Sequence, residues 1–205
     1  MVATRRPAAS RGRTELRLLD AGLSLFFERG YTGTTVRDIT DACGLTPGAL
    51  YNHFASKDEL LYRIIDGFHD DADATLSAAA DAVPVGGAEL LERLARDFTA
   101  LHIARPRETR VANRDYIHLP DVERARIVRR RRRIRSLFAQ TLRDGEREGI
   151  FSFDSLGHDD AITAVSMAII EVAISVGEWF QPRGARSAED TAALHGRIAL
   201  RIARG

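Results

Sequence analysis

The stretch Thr34-Thr-Val-Arg-Asp-Ile-Thr-Asp-Ala-Cys-Gly-Leu-Thr-Pro-Gly-Ala-Leu-Tyr-Asn-His-Phe54 has little freedom in how it folds. Thr35 stands three residues before Asp38, the reciprocal capping spacing that starts a helix. Val36, Ile39 and Cys43 recur at helical intervals and give that helix one apolar face. Gly44 follows where the chain must turn, and glycine takes a positive φ at little cost. Thr46 then suits an N-cap and Pro47 the first helical position. Leu50 and Phe54, four apart, form an inward face and leave Gly48, Ala49, Tyr51, Asn52 and His53 outward. Two short helices joined by a tight turn make the unit that seats a helix in the major groove of DNA.

The flanking sequence is helical by the same signals. Thr14 caps a first helix over about 15–29, striped by Leu18, Ala21, Gly22, Leu25 and Phe26 and ended by Gly30. Ser56 and Glu59 start a helix that runs to about Val83, with Leu60, Leu61, Ile64, Ile65 and Phe68 inward. After the break Pro84-Val-Gly-Gly87 come helix-length segments over about 88–104, 108–119, 121–148, 159–180 and 188–203, bounded by Pro106, Pro120, Gly149 and Pro182. No stretch reads as a strand. The expected class is all-α: a basic tail over 1–13 without fixed structure, an N-terminal three-helix domain over 14–56, and a C-terminal helical bundle over 57–205.

The segment 159–180 is apolar on nearly every face, through Val165, Met167, Ile169, Ile170, Val172, Ile174 and Val176. A membrane span explains it poorly. Glu171 would sit near the bilayer centre at a cost of about 2.5–3.5 kcal/mol, and Ser166, Ser175 and Glu178 add polarity. A helix buried on several sides, by its own domain and by a partner subunit, explains it better.

Composition adds three constraints. The net charge is +1, but residues 1–14 carry Arg5, Arg6, Arg11 and Arg13 and no acid, a placement that suits phosphate contact. The only cysteine is Cys43, on an inward helix face. No intrachain disulfide is possible, and with no apolar leader after the basic start the expected location is the cytoplasm. Lys57 is the only lysine among 30 basic residues. A cation in the first turn of a helix opposes the macrodipole, so some other partner must hold it, and a DNA phosphate is one candidate.

Four segments together resemble the DNA-binding domain of TetR-family transcriptional regulators: Leu18-Leu-Asp-Ala-Gly-Leu-Ser-Leu-Phe-Phe-Glu-Arg-Gly-Tyr31, Thr35-Val-Arg-Asp-Ile39, Leu45-Thr-Pro-Gly-Ala-Leu-Tyr-Asn-His-Phe54 and Ser56-Lys-Asp-Glu-Leu60. The likeness is nearly continuous over 16–62. Gly22 departs from it, since the family usually has alanine there, and a helix-interior glycine costs roughly 0.5–1 kcal/mol. The resemblance implies a homodimer, a palindromic double-stranded DNA operator, and an effector site in the C-terminal domain. The last two helices, about 159–180 and 188–203, fall where the family builds its dimer interface.

For DNA contact the reading names Thr35, Arg37, Thr46, Pro47, Gly48, Ala49, Tyr51, Asn52, His53 and Lys57. Small residues at 47–49 admit the backbone to the groove, and Ala49 suits a thymine methyl. Asn52 matches adenine in a bidentate contact, and Arg37 matches guanine or a phosphate. The resemblance gives phosphate contacts to Thr46, Tyr51, His53 and Lys57. Each also has a plain structural alternative as cap, core neighbour or solvated group.

The effector reading names Phe98, Leu101, His102, Asn113, Tyr116, Phe138, Leu142, Met167, Glu171 and Trp179, for which ordinary core is the alternative. The run Arg129–Arg133 covers all faces of a helix, so it is either a solvated face or, in part, an anion dock. The segment beginning Trp179-Phe-Gln-Pro resembles TetR-type regulators of acyl-CoA, fatty-acid and steroid catabolism. A small hydrophobic or acyl-CoA-type effector is therefore expected. An enzyme is not: the six histidines are scattered, no Glu-x-x-His occurs, and neither a metal nor another cofactor is implied. The other class left open is a DNA-binding regulator with no effector, constitutive or architectural.

Overall fold

A computed structural model of the chain describes residues 8–82, 86–153, 159–181, 184 and 186–204. Among them are nine α-helices and one 3-10 turn, and no strand. The helices are α1 (Ala8–Arg29), α2 (Val36–Ala42), α3 (Pro47–Leu50), α4 (Lys57–Asp81), α5 (Gly87–Ala104), α6 (Pro106–Asp115), α7 (Asp121–Arg147), α8 (Asp159–Trp179) and α9 (Ala188–Arg204), with the 3-10 turn Tyr116–His118 after α6. The all-α expectation holds. The tail does not end where expected. Helix α1 begins at Ala8, so residues 8–13 extend it; Arg5 and Arg6 lie outside the described residues.

The chain buries two apolar clusters. The head cluster takes Leu18 and Phe26 from α1, Ile39 from α2, and Leu50 and Phe54 from α3 and the turn after it. It also takes Leu60, Leu61, Ile64, Ile65 and Phe68 from α4, and Val111 and Ile127 from α6 and α7. The body cluster starts further along the same α4, at Ala72, Leu76 and Ala79, and adds α5, α7, α8 and α9. The boundary expected at 56–57 is thus the start of a helix that serves both clusters, because one stripe at helical spacing continues through 60–79.

Gly22 finds its reason in this packing. A Cβ there would lie 2.4 Å from Leu60 Cδ2, and Leu60 is fully buried. Its absence lets α1 and α4 close on each other, rather than loosening α1. Helices α4 and α7 are joined by Arg130, which meets Asp66 at 2.7 Å, Asp70 at 2.6 Å and Asp73 at 2.8 Å. Helix α8 buries Ile162, Val165, Ile169, Ala173 and Val176, while Ala164, Met167, Ala168 and Ser175 remain exposed. The single chain therefore covers one side of this apolar helix.

Candidate nucleic-acid interface and effector cavity

The head presents its outward residues on a scaffold fixed by local bonds. The Thr35 hydroxyl accepts the Asp38 amide at 3.1 Å, and the Asp38 carboxylate accepts the Thr35 amide at 2.8 Å and hydroxyl at 2.6 Å. These bonds hold the Asp38 carboxyl below the usual carboxylate range. Gly44 closes the turn at φ 62°, and the Arg17 guanidinium donates to the Cys43 carbonyl at 2.5 Å. Cys43 is buried, as its apolar neighbours required.

Helix α3 then exposes Thr46, Pro47, Gly48, Tyr51 and Asn52, with Ala49 and His53 half-buried and Leu50 fully buried beneath them. Thr46 occupies the N-cap position, but its side chain makes no capping bond, so the expected cap is positional only. No heavy atom lies within 4 Å of a Cβ built on Gly48, which leaves the backbone open to approach. Arg37 projects from α2 with 82% of its side chain exposed, 3.6 Å from Asp41. Eight of the ten predicted DNA residues, Arg37, Thr46, Pro47, Gly48, Ala49, Tyr51, Asn52 and His53, are thus exposed or half-buried, and Thr35, also exposed, is committed to its cap.

Lys57, the tenth, has partners within the chain. Its ammonium donates to the Tyr31 carbonyl at 2.9 Å and the Thr34 carbonyl at 2.8 Å, and it lies 3.9 Å from the centre of the Tyr31 ring. Burial lowers its pKa. The cation that opposes the α4 dipole is held by two carbonyls of the α1–α2 connection, which take two of its three donors. Tyr31 itself bonds to Asp58 and stacks on His118 at 5.3 Å.

In the body, α4, α5, α6, α7 and α8 enclose a cavity of about 110 Å³. It is bordered by Phe68, His69 and Ala72, by Phe98 and His102, by Asn113, by Arg131, Ile134 and Arg135, and by Met167, Ile170, Glu171 and Ile174. Five of the predicted effector residues meet here: Phe98, His102, Asn113, Met167 and Glu171. The other five do not. Phe138 and Leu142 are fully buried in the solid body core, and Leu101 packs against both clusters. The Tyr116 ring is covered by the Arg131 guanidinium at 4.1 Å, and Trp179 is exposed, with His195 at 5.9 Å. The stretch after Trp179 falls partly outside the described residues.

The arginine run is divided by its helical phase. Arg130 faces the α4 acids, Arg129, Arg132 and Arg133 are exposed, with Arg133 3.8 Å from Asp73, and Arg131 with Arg135, one turn on, borders the cavity. Arg131 donates to the Ala112 carbonyl at 2.7 Å. At the open side, where Asn113, Met167 and Glu171 are exposed, two cations therefore stand with one carboxylate. The deep side is apolar apart from two imidazoles. His69 Nδ1 bonds to the Ile65 carbonyl at 2.8 Å and His102 Nδ1 to the Thr109 hydroxyl at 2.9 Å. Burial, reinforced by His69, pushes the His102 pKa down to about 3, so the ring is neutral at physiological pH.

Helix α6 lies between this cavity and the head. Thr109, Ala112 and Asn113 touch the cavity side. Three arginines on its other side reach α1. Arg107 donates to the Ser24 hydroxyl at 2.8 Å and lies 3.6 Å from Asp20. Arg110 covers the Phe27 ring at 5.3 Å, and Arg114 donates to the Phe26 and Phe27 carbonyls. None of the three is among the predicted site residues, although their spacing of three and four residues marks one helix face.

Comparison with known proteins bears on both halves. Residues 18–64 match the model for bacterial regulatory proteins of the tetR family, and residues 85–203 match the tetracyclin repressor-like C-terminal domain. The transcriptional repressor KstR2 of Rhodococcus jostii is 54% identical over 59 residues, which cover 29% of this chain and 28% of that protein. This chain thus aligns with under a third of that relative's length. The solved KstR2 of Mycobacterium tuberculosis is 26% identical with a TM-score of 0.80, covering 98% of this chain and 97% of its own. A tetR-family regulatory protein from Rhodococcus RHA1 is likewise 26% identical, with a TM-score of 0.82 over 93% of this chain and 97% of its own. The second domain model alone spans more than half of the chain, and with the helix-turn-helix head it establishes that the protein belongs to the TetR family of DNA-binding transcriptional regulators, which are not enzymes.

Proposed function

We propose that the protein is a homodimeric, cytoplasmic repressor, released from a palindromic operator when a small ligand occupies the body cavity. The observation that carries this reading is the position of α6, which borders the cavity at Asn113, bonds to the wall residues His102 and Arg131 through Thr109 and Ala112, and touches α1 through Arg107, Arg110 and Arg114. A ligand that moves the cavity wall moves a helix bonded to the head, and a shift in the head changes the spacing of two recognition helices about 34–36 Å apart. The uncovered side of α8 supports the dimer. Its exposed residues Ala164, Ala168 and Ser175 are small and let a second helix approach closely.

On DNA, Ala49 and Asn52 meet base edges, while Arg37, Thr46, Tyr51 and His53 meet phosphates or, for Arg37, a guanine. The cavity favours an effector with an apolar body and an anionic end. An acyl-CoA-type ligand fits, with its acyl part among Phe68, Phe98 and Ile134 and its phosphates near Arg131 and Arg135. At about 110 Å³ the cavity is smaller than one that holds benzene, about 150 Å³. The ligand must therefore displace a wall, as release of the head requires.

Operator fragments selected from random DNA and followed by fluorescence anisotropy test the reading. Coenzyme A thioesters of increasing chain length should release the protein, and free acids should do so less effectively. Binding untouched by any hydrophobic acid or thioester would favour a regulator without an effector. Asn52→Ala should flatten base preference, and Arg37→Ala should reduce the salt slope by about one.

A further inference from the structure

His102 is the one described residue with a buried side-chain polar atom that has no partner, its Nε2. The residue is 2% exposed. Its ring lies between Phe98, at 4.5 Å edge to face, and Phe68, at 5.4 Å. Its other nitrogen, Nδ1, is 2.9 Å from Thr109 Oγ1, and Thr109 is itself buried.

The direction of that bond follows from counting hydrogens. If the hydroxyl donates to Nδ1, the only orphan left is one N–H, at Nε2. If Nδ1–H donates instead, two groups are orphaned, the hydroxyl hydrogen and the Nε2 lone pair. An orphaned buried polar group costs about 1–3 kcal/mol, so the first arrangement prevails and Nε2 carries the hydrogen. Between two phenyl rings a charged acceptor would lose its hydration without a counter-ion, so the free N–H is best met by an uncharged one. A water there would need two to four polar partners, and the two phenyl rings supply none.

We infer that the cavity takes a ligand whose uncharged portion carries a carbonyl oxygen, received by the His102 Nε2–H. The inference rests on the effector reading of the cavity. The carbonyl has two possible sources, a ketone on the apolar chain or the carbonyl of a thioester. In both, displacement of Phe68 or Phe98 uncovers Nε2. The same movement presses on the ring whose far side holds Thr109, and so reaches α6.

The test compares three probes on the full-length protein by isothermal titration: heptanoate, 6-oxoheptanoate and heptanoyl-CoA. Wild type is set against His102→Phe, with His102→Gln, which keeps an N–H donor, as a second variant. At least one carbonyl probe should lose about tenfold in affinity in His102→Phe and recover most of it in His102→Gln, while heptanoate should not weaken. A loss for 6-oxoheptanoate assigns the carbonyl to the chain; a loss for heptanoyl-CoA alone assigns it to the thioester. The 15N resonance of His102 Nε2, identified by its absence in His102→Phe, should move with the carbonyl probe and not with heptanoate. Probes that bind equally well to wild type and His102→Phe overturn the His102 assignment and leave the effector site standing. Failure of all three to bind wild type overturns both.

Discussion

The head and the body solve the burial of a single cation or imidazole in opposite ways. In the head Lys57 is folded back onto two carbonyls and a tyrosine ring, which take two of its donors and cover its charge. In the body His102 is sunk between two phenylalanines with half of its hydrogen-bonding capacity unused. A surface that must meet the same DNA backbone each time gains from a rigid, closed scaffold. Under the proposed function, a cavity that responds to a ligand gains from a group whose partner the ligand supplies. On that reading, the first group serves the scaffold and the second serves recognition.

Acid should separate the two regions most widely. Burial lowers the pKa of His102, to about 3, and also those of His69 and His195. The unfolded chain binds protons on these rings below about pH 6.5, whereas the folded chain binds them only at lower pH. Their contribution is whole above about pH 6.5 and is lost as pH falls toward the folded values, by up to about 1.4 kcal/mol per pH unit for each ring. Asp38, the head's shifted carboxylate, contributes above its unfolded pKa, and that contribution is lost only as pH falls below about 4. Urea titrations between pH 7 and 4.5 should show a steep loss, reduced by about one proton in His102→Phe. An unchanged slope in that variant would mean that the ring is not buried neutral.

Lys57→Ala comes next in size. It removes two charge-assisted hydrogen bonds and a cation–π contact, and should destabilise the protein by about 2 kcal/mol. The salt slope of operator binding should stay as in wild type. If instead stability holds and the slope drops by about one, the lysine is a phosphate ligand after all and the contrast with His102 fails. Gly22→Ala is the smallest effect. Alanine gains roughly 0.5–1 kcal/mol of helix propensity, but its methyl meets Leu60, and overpacking of this kind costs about 1–3 kcal/mol. A net fall of about 1 kcal/mol should appear as a lower thermal midpoint, whereas a higher midpoint would show that Leu60 gives way freely.

The head was more legible than the body because its signals are local. Thr35 with Asp38, Gly44, Pro47, and Ser56 with Glu59 each act within four residues, and the structure uses each where the spacing puts it. The Lys57 partners lie 23 and 26 residues away, beyond any spacing rule. In the body the stripes located the helices but did not distinguish cavity wall from solid core. Phe98 and Phe138 have the same chemistry and lie on similar stripes, with ring centres 6.1 Å apart, yet only Phe98 borders the cavity. The fate of the arginines was equally hidden. Consecutive positions sample every face, so only the packed neighbours decide that Arg130 meets acids and Arg131 a cavity.

Helix α4 has its first half in one cluster and its second half in the other, and this governs how the molecule comes apart. A unit of about 60 residues hides only about 60% of the surface it would expose when unfolded, which leaves it marginal by itself. The head is of that order, and one of its walls is a helix whose far end is anchored elsewhere. Heat should therefore melt head and body in a single cooperative transition. A chain severed within α4 should yield neither a working DNA binder nor a working sensor.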